Sequence, residues 1–148
     1  MDKDLKREII LENYQNPKNK GLVDDKSYLE INMDSESCID NITVQLKIED
    51  GKIVEAHFDG EACAICTSSA SIMLETLIGK DIKEVEKIIE SFENMIDEKD
   101  YDSEILELAL VYDDISKQAN RKKCALLPWW GVKKLLSKGD LWEYTKHV

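Results

Sequence analysis

The alternation of apolar and polar residues predicts strands in the first half of the chain. Apolar residues alternate with polar ones over residues 42–48 and again over 52–58, and Asp50-Gly51 separates the two runs. Two strands joined by two residues of this kind are typical of a tight antiparallel hairpin. A looser alternation over residues 28–34 predicts a further strand before the hairpin.

Helical spacing of apolar residues predicts the remaining elements. The predicted helices cover residues 5–14, 66–78, 82–96 and 126–136. Asp81 and Glu84 have the spacing of a capping box at the start of the third helix. Three strands followed by helices predict an α+β fold, a three-stranded antiparallel sheet with helices packed on it. No repeat or linker divides the chain, so we expect residues 1–148 to form a single domain.

Net charge and cysteine content limit the functions that the chain can have. The chain has 20 Lys and Arg residues against 31 Asp and Glu residues, a net charge of −11. This acidity argues against nucleic acid and against an anionic membrane as partners. No apolar run has the length of a signal peptide core or of a transmembrane helix. We therefore expect a cytoplasmic protein whose four cysteines are reduced and serve metal binding or thiol chemistry.

The cysteines fall at the ends of predicted elements. Cys38 and Asp40 precede the first strand of the hairpin, and Cys63 follows its second strand. Because the strands are antiparallel, these three residues are expected at one end of the sheet. Cys66 falls in the first turn of the next helix, where the positive end of the helix dipole favours thiolates.

The position of Pro128 predicts where Cys124 lies relative to the last helix. Pro128 fits a helix only near its start, so we expect the last helix to begin near Leu126 and Cys124 to lie just before it. The basic run of residues 121–123 precedes Cys124. It is open whether this run is a solvated group at the preceding helix end or a set of cations that serves the thiolate.

Three motifs occur in a characteristic order along the chain. They are Cys38-Ile39-Asp40, Phe58-x-Gly60-x-x-Cys63-Ala64-Ile65 and Arg121-x-Lys123-Cys124-Ala125-x-Leu127. Together with an opening segment, Ile9-Ile10-Leu11-x-x-Tyr14-x-x-Pro17-x-Asn19-x-Gly21, this pattern resembles the U-type iron–sulfur cluster assembly scaffolds. The long segment between Gly79 and Arg121 is similar to the SufU branch, and so is Lys123, since the IscU branch usually has histidine there.

The resemblance implies an α+β fold and one zinc ion held by Cys38, Asp40, Cys63 and Cys124. It further implies that a pyridoxal-phosphate cysteine desulfurase of the SufS type donates sulfur from its persulfide. Cys38 is then the first candidate for the sulfur acceptor and Cys124 the second, with Arg121 as an auxiliary cation. A transient iron–sulfur cluster is a second implied cargo. Apo iron–sulfur proteins or a SufB/C/D-type scaffold are the implied recipients.

Several residues depart from the family pattern at the site itself. Ile39 and Ala62 stand where the family usually has glycine, and Cys66 stands where it has serine. Three roles stay open for Cys66: a core-facing serine replacement, a fourth sulfur ligand that displaces Asp40, or a redox partner of Cys63. Taken without the family pattern, Asp40 is an ordinary loop residue.

Two other functions compete with a scaffold or sulfur carrier. A dithiol oxidoreductase would use Cys63 and Cys66, and a zinc-stabilised adaptor would hold a closed structural site. His57 and His147 are expected at the surface and not among the ligands.

Overall fold

The computed structural model describes residues 1–35 and 39–137. The elements are α1 (Lys3–Gln15), β1 (Leu29–Asp34), β2 (Asn41–Glu49), β3 (Lys52–Glu61), α2 (Ala64–Leu77), α3 (Ile82–Ile96) and α4 (Ala119–Leu136). Two short 3-10 helices, Glu107–Tyr112 and Ile115–Lys117, connect α3 to α4. The three strands and the helices over 5–14, 66–78 and 82–96 are thus confirmed, with ends that differ by at most three residues.

The sheet has the predicted order and direction. Its strands run β1-β2-β3 and each neighbouring pair is antiparallel. The turn between β2 and β3 consists of Asp50 and Gly51, with φ values of 51° and 76°. Two positive φ angles are the signature of a type I′ turn, which matches the twist of the hairpin. In this register Asn41 lies opposite Glu61, so the start of β2 and the end of β3 share one edge.

Helix α2 is the centre of the fold. Eleven of its fourteen residues are buried, and α1, α4 and β3 all pack against it. Its polar side chains are satisfied internally: Ser71 donates a hydrogen bond of 2.7 Å to Asn13 of α1. Since a polar group buried without a partner costs roughly 1–3 kcal/mol, these bonds also fix how the helices dock.

Helix α4 packs on both α2 and β1. A side chain at Gly131 would approach within 3.0 Å of Met33 on β1, so glycine allows this close contact. In the core, the ring of Trp129 stacks on Phe92 of α3 with centroids 4.0 Å apart. The predicted capping box of α3 is present, with the Asp81 side chain accepting from the Glu84 N–H.

The predicted start of the last helix was wrong. The helix begins at Ala119, so Cys124 lies in its second turn and Pro128 lies inside it. Pro128 has no N–H to donate to the Cys124 carbonyl, which normally makes an interior proline unfavourable. Burial of residues 124–129 against the rest of the core offsets this cost. Tertiary packing therefore overrides the local preference.

Candidate metal centre

Three side chains from separate parts of the chain meet at the sheet edge where β2 begins. They are Asp40 before β2, Cys63 at the start of α2 and Cys124 in α4, and one ligand atom from each lies within 4.8 Å of the others. Asp40 and Cys63 are brought together by the β2–β3 register, while Cys124 arrives through the packing of α4 on α2.

Asp40 is fully buried and bound to Cys63. Its Oδ1 accepts the Cys63 backbone N–H at 2.7 Å, and its Oδ2 lies 3.7 Å from the Cys63 sulfur. Its backbone carbonyl accepts the N–H of Ser35, which closes the connection between β1 and β2. A carboxylate without exposure needs a compensating charge or several hydrogen bonds, because burial alone strongly disfavours it.

Cys63 caps the N-terminus of α2. Its backbone is extended, with φ −67° and ψ 169°, and its sulfur accepts the N–H of Cys66 at 3.4 Å. This is the role that serine or aspartate plays at many helix starts. The helix dipole and this N–H both place positive partial charge beside the Cys63 sulfur.

Cys124 is almost entirely buried, with 4% of its surface exposed. Burial, as the largest cause, and hydrogen bonds with Asp40 and Cys63 together raise the pKa of its thiol from the ordinary 9.0 to about 12. Beside these two acidic groups, the Cys124 thiol therefore holds its proton more strongly than a free thiol does. A cation between them would reverse this effect, since a bound metal deprotonates a thiol that coordinates it.

The donor set fits zinc. Zinc in proteins takes thiolate, imidazole and carboxylate ligands in a tetrahedron, with Zn–S bonds of about 2.3 Å and Zn–O bonds of about 2.0–2.2 Å. Two sulfurs on such a tetrahedron are about 3.8 Å apart, which agrees with ligand atoms that all lie within 4.8 Å of one another. A carboxylate with two sulfurs is also poorly suited to magnesium or calcium, which prefer oxygen ligands alone.

The other predicted site residues have different positions. Cys38 lies outside the described residues. Cys66 is completely buried in the hydrophobic core and does not belong to the three-residue ligand group. Among the described residues, the oxygen ligand of that group comes from Asp40, and Cys66 does not take its place. Ile39 is 75% exposed between the two candidate ligands Cys38 and Asp40. His57 lies on β3 and its ring is tilted against that of Tyr28, away from the ligand group.

Arg121 is exposed in the first turn of α4, three residues before Cys124. Within residues 1–35 and 39–137, no carboxylate forms an ion pair with Arg121, Lys122 or Lys123. On an acidic chain, these three cations, which directly precede Cys124 in α4, provide a local attraction for anions.

Sequence reasoning missed Ser69, which joins the helices that carry Cys63 and Cys124. Its hydroxyl donates to the Ala125 carbonyl at 2.6 Å and accepts the Trp129 indole N–H at 2.9 Å. The consecutive Thr67, Ser68 and Ser69 inside a helix whose other residues are mostly apolar are the signal that could have indicated internal hydrogen bonds.

In the part of the chain that the structure describes, no helix combines the length and the apolarity needed to cross a membrane.

Known proteins share both the sequence and the fold of this chain. It is 38% identical over 138 residues to the zinc-dependent sulfurtransferase SufU of Bacillus subtilis, and 92% of each protein is covered. It is 37% identical over 131 residues to the iron–sulfur cluster assembly scaffold protein IscU of Thermotoga maritima, covering 88% of this chain and 92% of the relative.

A solved structure of a related protein has the same fold. The crystal structure of a putative iron–sulfur cluster assembly scaffold protein for the SUF system, from Fervidobacterium islandicum, superimposes with a TM-score of 0.79 at 30% identity. The match covers 86% of this chain and 93% of the other. The NifU-like N terminal domain family matches residues 5–125, which include Asp40, Cys63 and Cys124. The chain therefore belongs to the NifU-like N terminal domain family, which confirms the resemblance to U-type scaffolds of the SufU branch.

Proposed function

We propose that this protein serves iron–sulfur cluster assembly in the manner of SufU, as a zinc-bound acceptor of sulfur from a cysteine desulfurase. The observation that carries the proposal is the meeting of Asp40, Cys63 and Cys124 within 4.8 Å. The similarity to a zinc-dependent sulfurtransferase and to cluster scaffolds over about nine-tenths of the chain supports it. Residues 1–148 would act as one domain in the cytoplasm.

The fourth zinc ligand is proposed to be Cys38. It lies two residues before Asp40 in the chain, and two residues of polypeptide span at most about 7 Å. The covalent chain thus keeps Cys38 near the three described ligands. When bound, zinc would hold its cysteine ligands as thiolates, the form that reacts with persulfides.

Cys38 is also the proposed acceptor. Its thiolate would attack the outer sulfur of the donor persulfide, forming a new S–S bond while the donor S–S bond breaks and the donor cysteine leaves as a thiolate. Cys124 is the second candidate, and its 4% exposure inside α4 makes it the harder one for a donor protein to reach.

The charges around the site suit such a donor. Arg121 and the lysines that follow it would attract the negative persulfide and contact the desulfurase. Exposed Ile39 next to Asp40 would add an apolar contact at the same surface. Sulfur would then pass to apo iron–sulfur proteins or to a SufB/C/D-type scaffold, or be built into a transient cluster on this protein.

A sulfur-transfer assay tests this function. The full chain is incubated with a pyridoxal-phosphate cysteine desulfurase and cysteine, alanine formation is followed, and mass spectrometry locates the added sulfur. We expect the wild type to stimulate the desulfurase and to carry the added sulfur on Cys38. Cys38→Ser should lose both properties, and the control variant Ser37→Ala should retain both. Normal stimulation by Cys38→Ser would overturn the assignment of the acceptor, and no stimulation by the wild type would overturn the function.

A further inference from the structure

Cys66 is a buried thiol to which the metal centre gives no role. It lies three residues after Cys63, so the pair forms a C-x2-C motif in which Cys63 caps α2 and Cys66 occupies its first turn. The backbone N–H of Cys66 donates to the Cys63 sulfur at 3.4 Å, which holds that sulfur over the first turn of the helix.

The spacing of the pair suits a disulfide. Positions three apart along a helix are separated by about 5 Å at Cα, and disulfides bridge Cα separations of roughly 4.4–6.8 Å. Both thiols are reduced in this structure. A bond between them would close only the first turn of α2 and would leave the sheet and the packing of α4 in place.

Access to the two sulfurs differs. Cys63 is half-buried at the site, whereas Cys66 has no exposed surface. An incoming sulfur donor can therefore meet Cys63, while Cys66, which has no exposed surface, is shielded from it. An accessible thiol paired with a shielded one is the arrangement of a dithiol reductant, in which the second thiol resolves the adduct of the first.

We propose that Cys63 and Cys66 form an internal dithiol that reduces sulfane sulfur to sulfide at the assembly site. The Cys63 thiol attacks the outer sulfur of a persulfide or polysulfide and becomes a persulfide, while the donor leaves as a thiol or as a polysulfide one sulfur shorter. The Cys66 thiol then attacks the Cys63 Sγ, so that a Cys63–Cys66 disulfide forms and the outer sulfur leaves as hydrogen sulfide. The two thiols lose two electrons, and the sulfur gains them.

This step rests on the proposed function for its sulfur supply and deepens it. Persulfide sulfur is at the zero oxidation level, and a cluster needs sulfide, so each sulfur requires two electrons. One dithiol carries two electrons, which limits the chain to one sulfide before an external thiol reduces the disulfide. Because Cys63 belongs to the ligand group, metal binding and sulfide release exclude each other at this residue.

The test measures sulfide without any desulfurase. The chelator-treated full chain is mixed anaerobically with inorganic polysulfide, desalted rapidly and followed for sulfide release, and the products are mapped by peptide mass spectrometry. We expect the wild type to release about one equivalent of sulfide and to gain a Cys63–Cys66 disulfide. Cys66→Ser, which preserves size, should retain the sulfur as a persulfide on Cys63.

The disulfide map is measured on the wild type, so it does not depend on whether Cys66→Ser folds. A thermal melt checks separately that Cys66→Ser is folded. Equal release by Cys66→Ser, or a wild-type disulfide that excludes Cys63 or Cys66, overturns the proposal. Desulfurase stimulation by the wild type is assayed in parallel. If the wild type does not stimulate the desulfurase, that result counts against the proposed function alone, because the polysulfide reaction bypasses the desulfurase.

Discussion

The backbone N–H of Cys63 donates a 2.7 Å hydrogen bond to the buried carboxylate of Asp40. The second oxygen of the same carboxylate lies 3.7 Å from the Cys63 sulfur. Asp40 thus ties the end of the sheet to the start of α2 and also offers an oxygen beside a candidate sulfur ligand. Hydrogen bonds of this kind hold metal ligands in position before the metal arrives.

Replacements of Asp40 should separate these two roles. Asp40→Asn keeps an oxygen that accepts the Cys63 N–H but loses the charge, so zinc affinity should fall about 10–100-fold with little change in folding stability. Asp40→Ala should also cost roughly 1–3 kcal/mol in the free energy of unfolding, because the Cys63 N–H loses its partner. Competition with a chromophoric chelator and urea unfolding measure the two effects. Wild-type zinc affinity in Asp40→Asn would exclude Asp40 as a ligand.

The metal-free protein should lose stability in alkaline solution. The folded pKa of Cys124 is raised from 9.0 to about 12, so the folded state keeps a proton that the unfolded state gives up. This contribution is complete below pH 9 and is lost as the pH rises toward 12. Urea unfolding at about pH 8 and pH 10 should show a steeper decline for the wild type than for Cys124→Ser. Parallel declines would contradict the raised pKa.

Two glycines with positive φ should respond differently to alanine. A Cβ at Gly60 would lie 2.1 Å from the Asn41 carbonyl oxygen, whereas one at Gly21 would meet nothing within 4 Å. Gly21→Ala should cost only the backbone strain, about 1–3 kcal/mol. Gly60→Ala should cost more and weaken zinc binding, because β3 must move at the end that leads to Cys63. Equal losses in urea unfolding would argue against the close approach at Gly60.

Ser69→Ala should destabilise the protein and loosen the metal centre together. It removes the partner of the buried Trp129 indole and a donor to the Ala125 carbonyl, which we expect to cost roughly 1–3 kcal/mol. Ser116→Ala, which removes an exposed hydrogen bond to Glu98, is the matched control and should stay within about 0.5 kcal/mol. If Ser69→Ala retains full zinc affinity, Ser69 stabilises the fold without positioning Cys124.

The strands and the hairpin followed from the sequence because alternation and turn chemistry are local signals. The same signals brought Asp40 and Cys63 to one end of the sheet, since an antiparallel register fixes which residues are neighbours. The complete burial of Asp40 did not follow, because it depends on helices that arrive later in the chain.

The position of Cys124 was predicted wrongly for a related reason. Pro128 indicates a helix start when only its missing N–H and its ring are considered. In the structure, the Trp129 ring stacks on Phe92 and its indole N–H donates a hydrogen bond to Ser69. These contacts with residues distant in the sequence stabilise a helix that continues on both sides of Pro128. No property of residues 119–136 alone contains that information.

The zinc content of matched variants tests whether Asp40, Cys63 and Cys124 hold a zinc ion. Wild-type protein, Cys63→Ser, Cys124→Ser, Asp40→Ala and the off-site control His57→Ala are purified in parallel, challenged with a chelator and analysed for zinc by mass spectrometry. We expect about one zinc per chain in the wild type and in His57→Ala. The three ligand variants should clearly lose zinc, since each substitution opens the tetrahedron. Full retention of zinc by Cys63→Ser, Cys124→Ser and Asp40→Ala would contradict the metal centre and the function built on it.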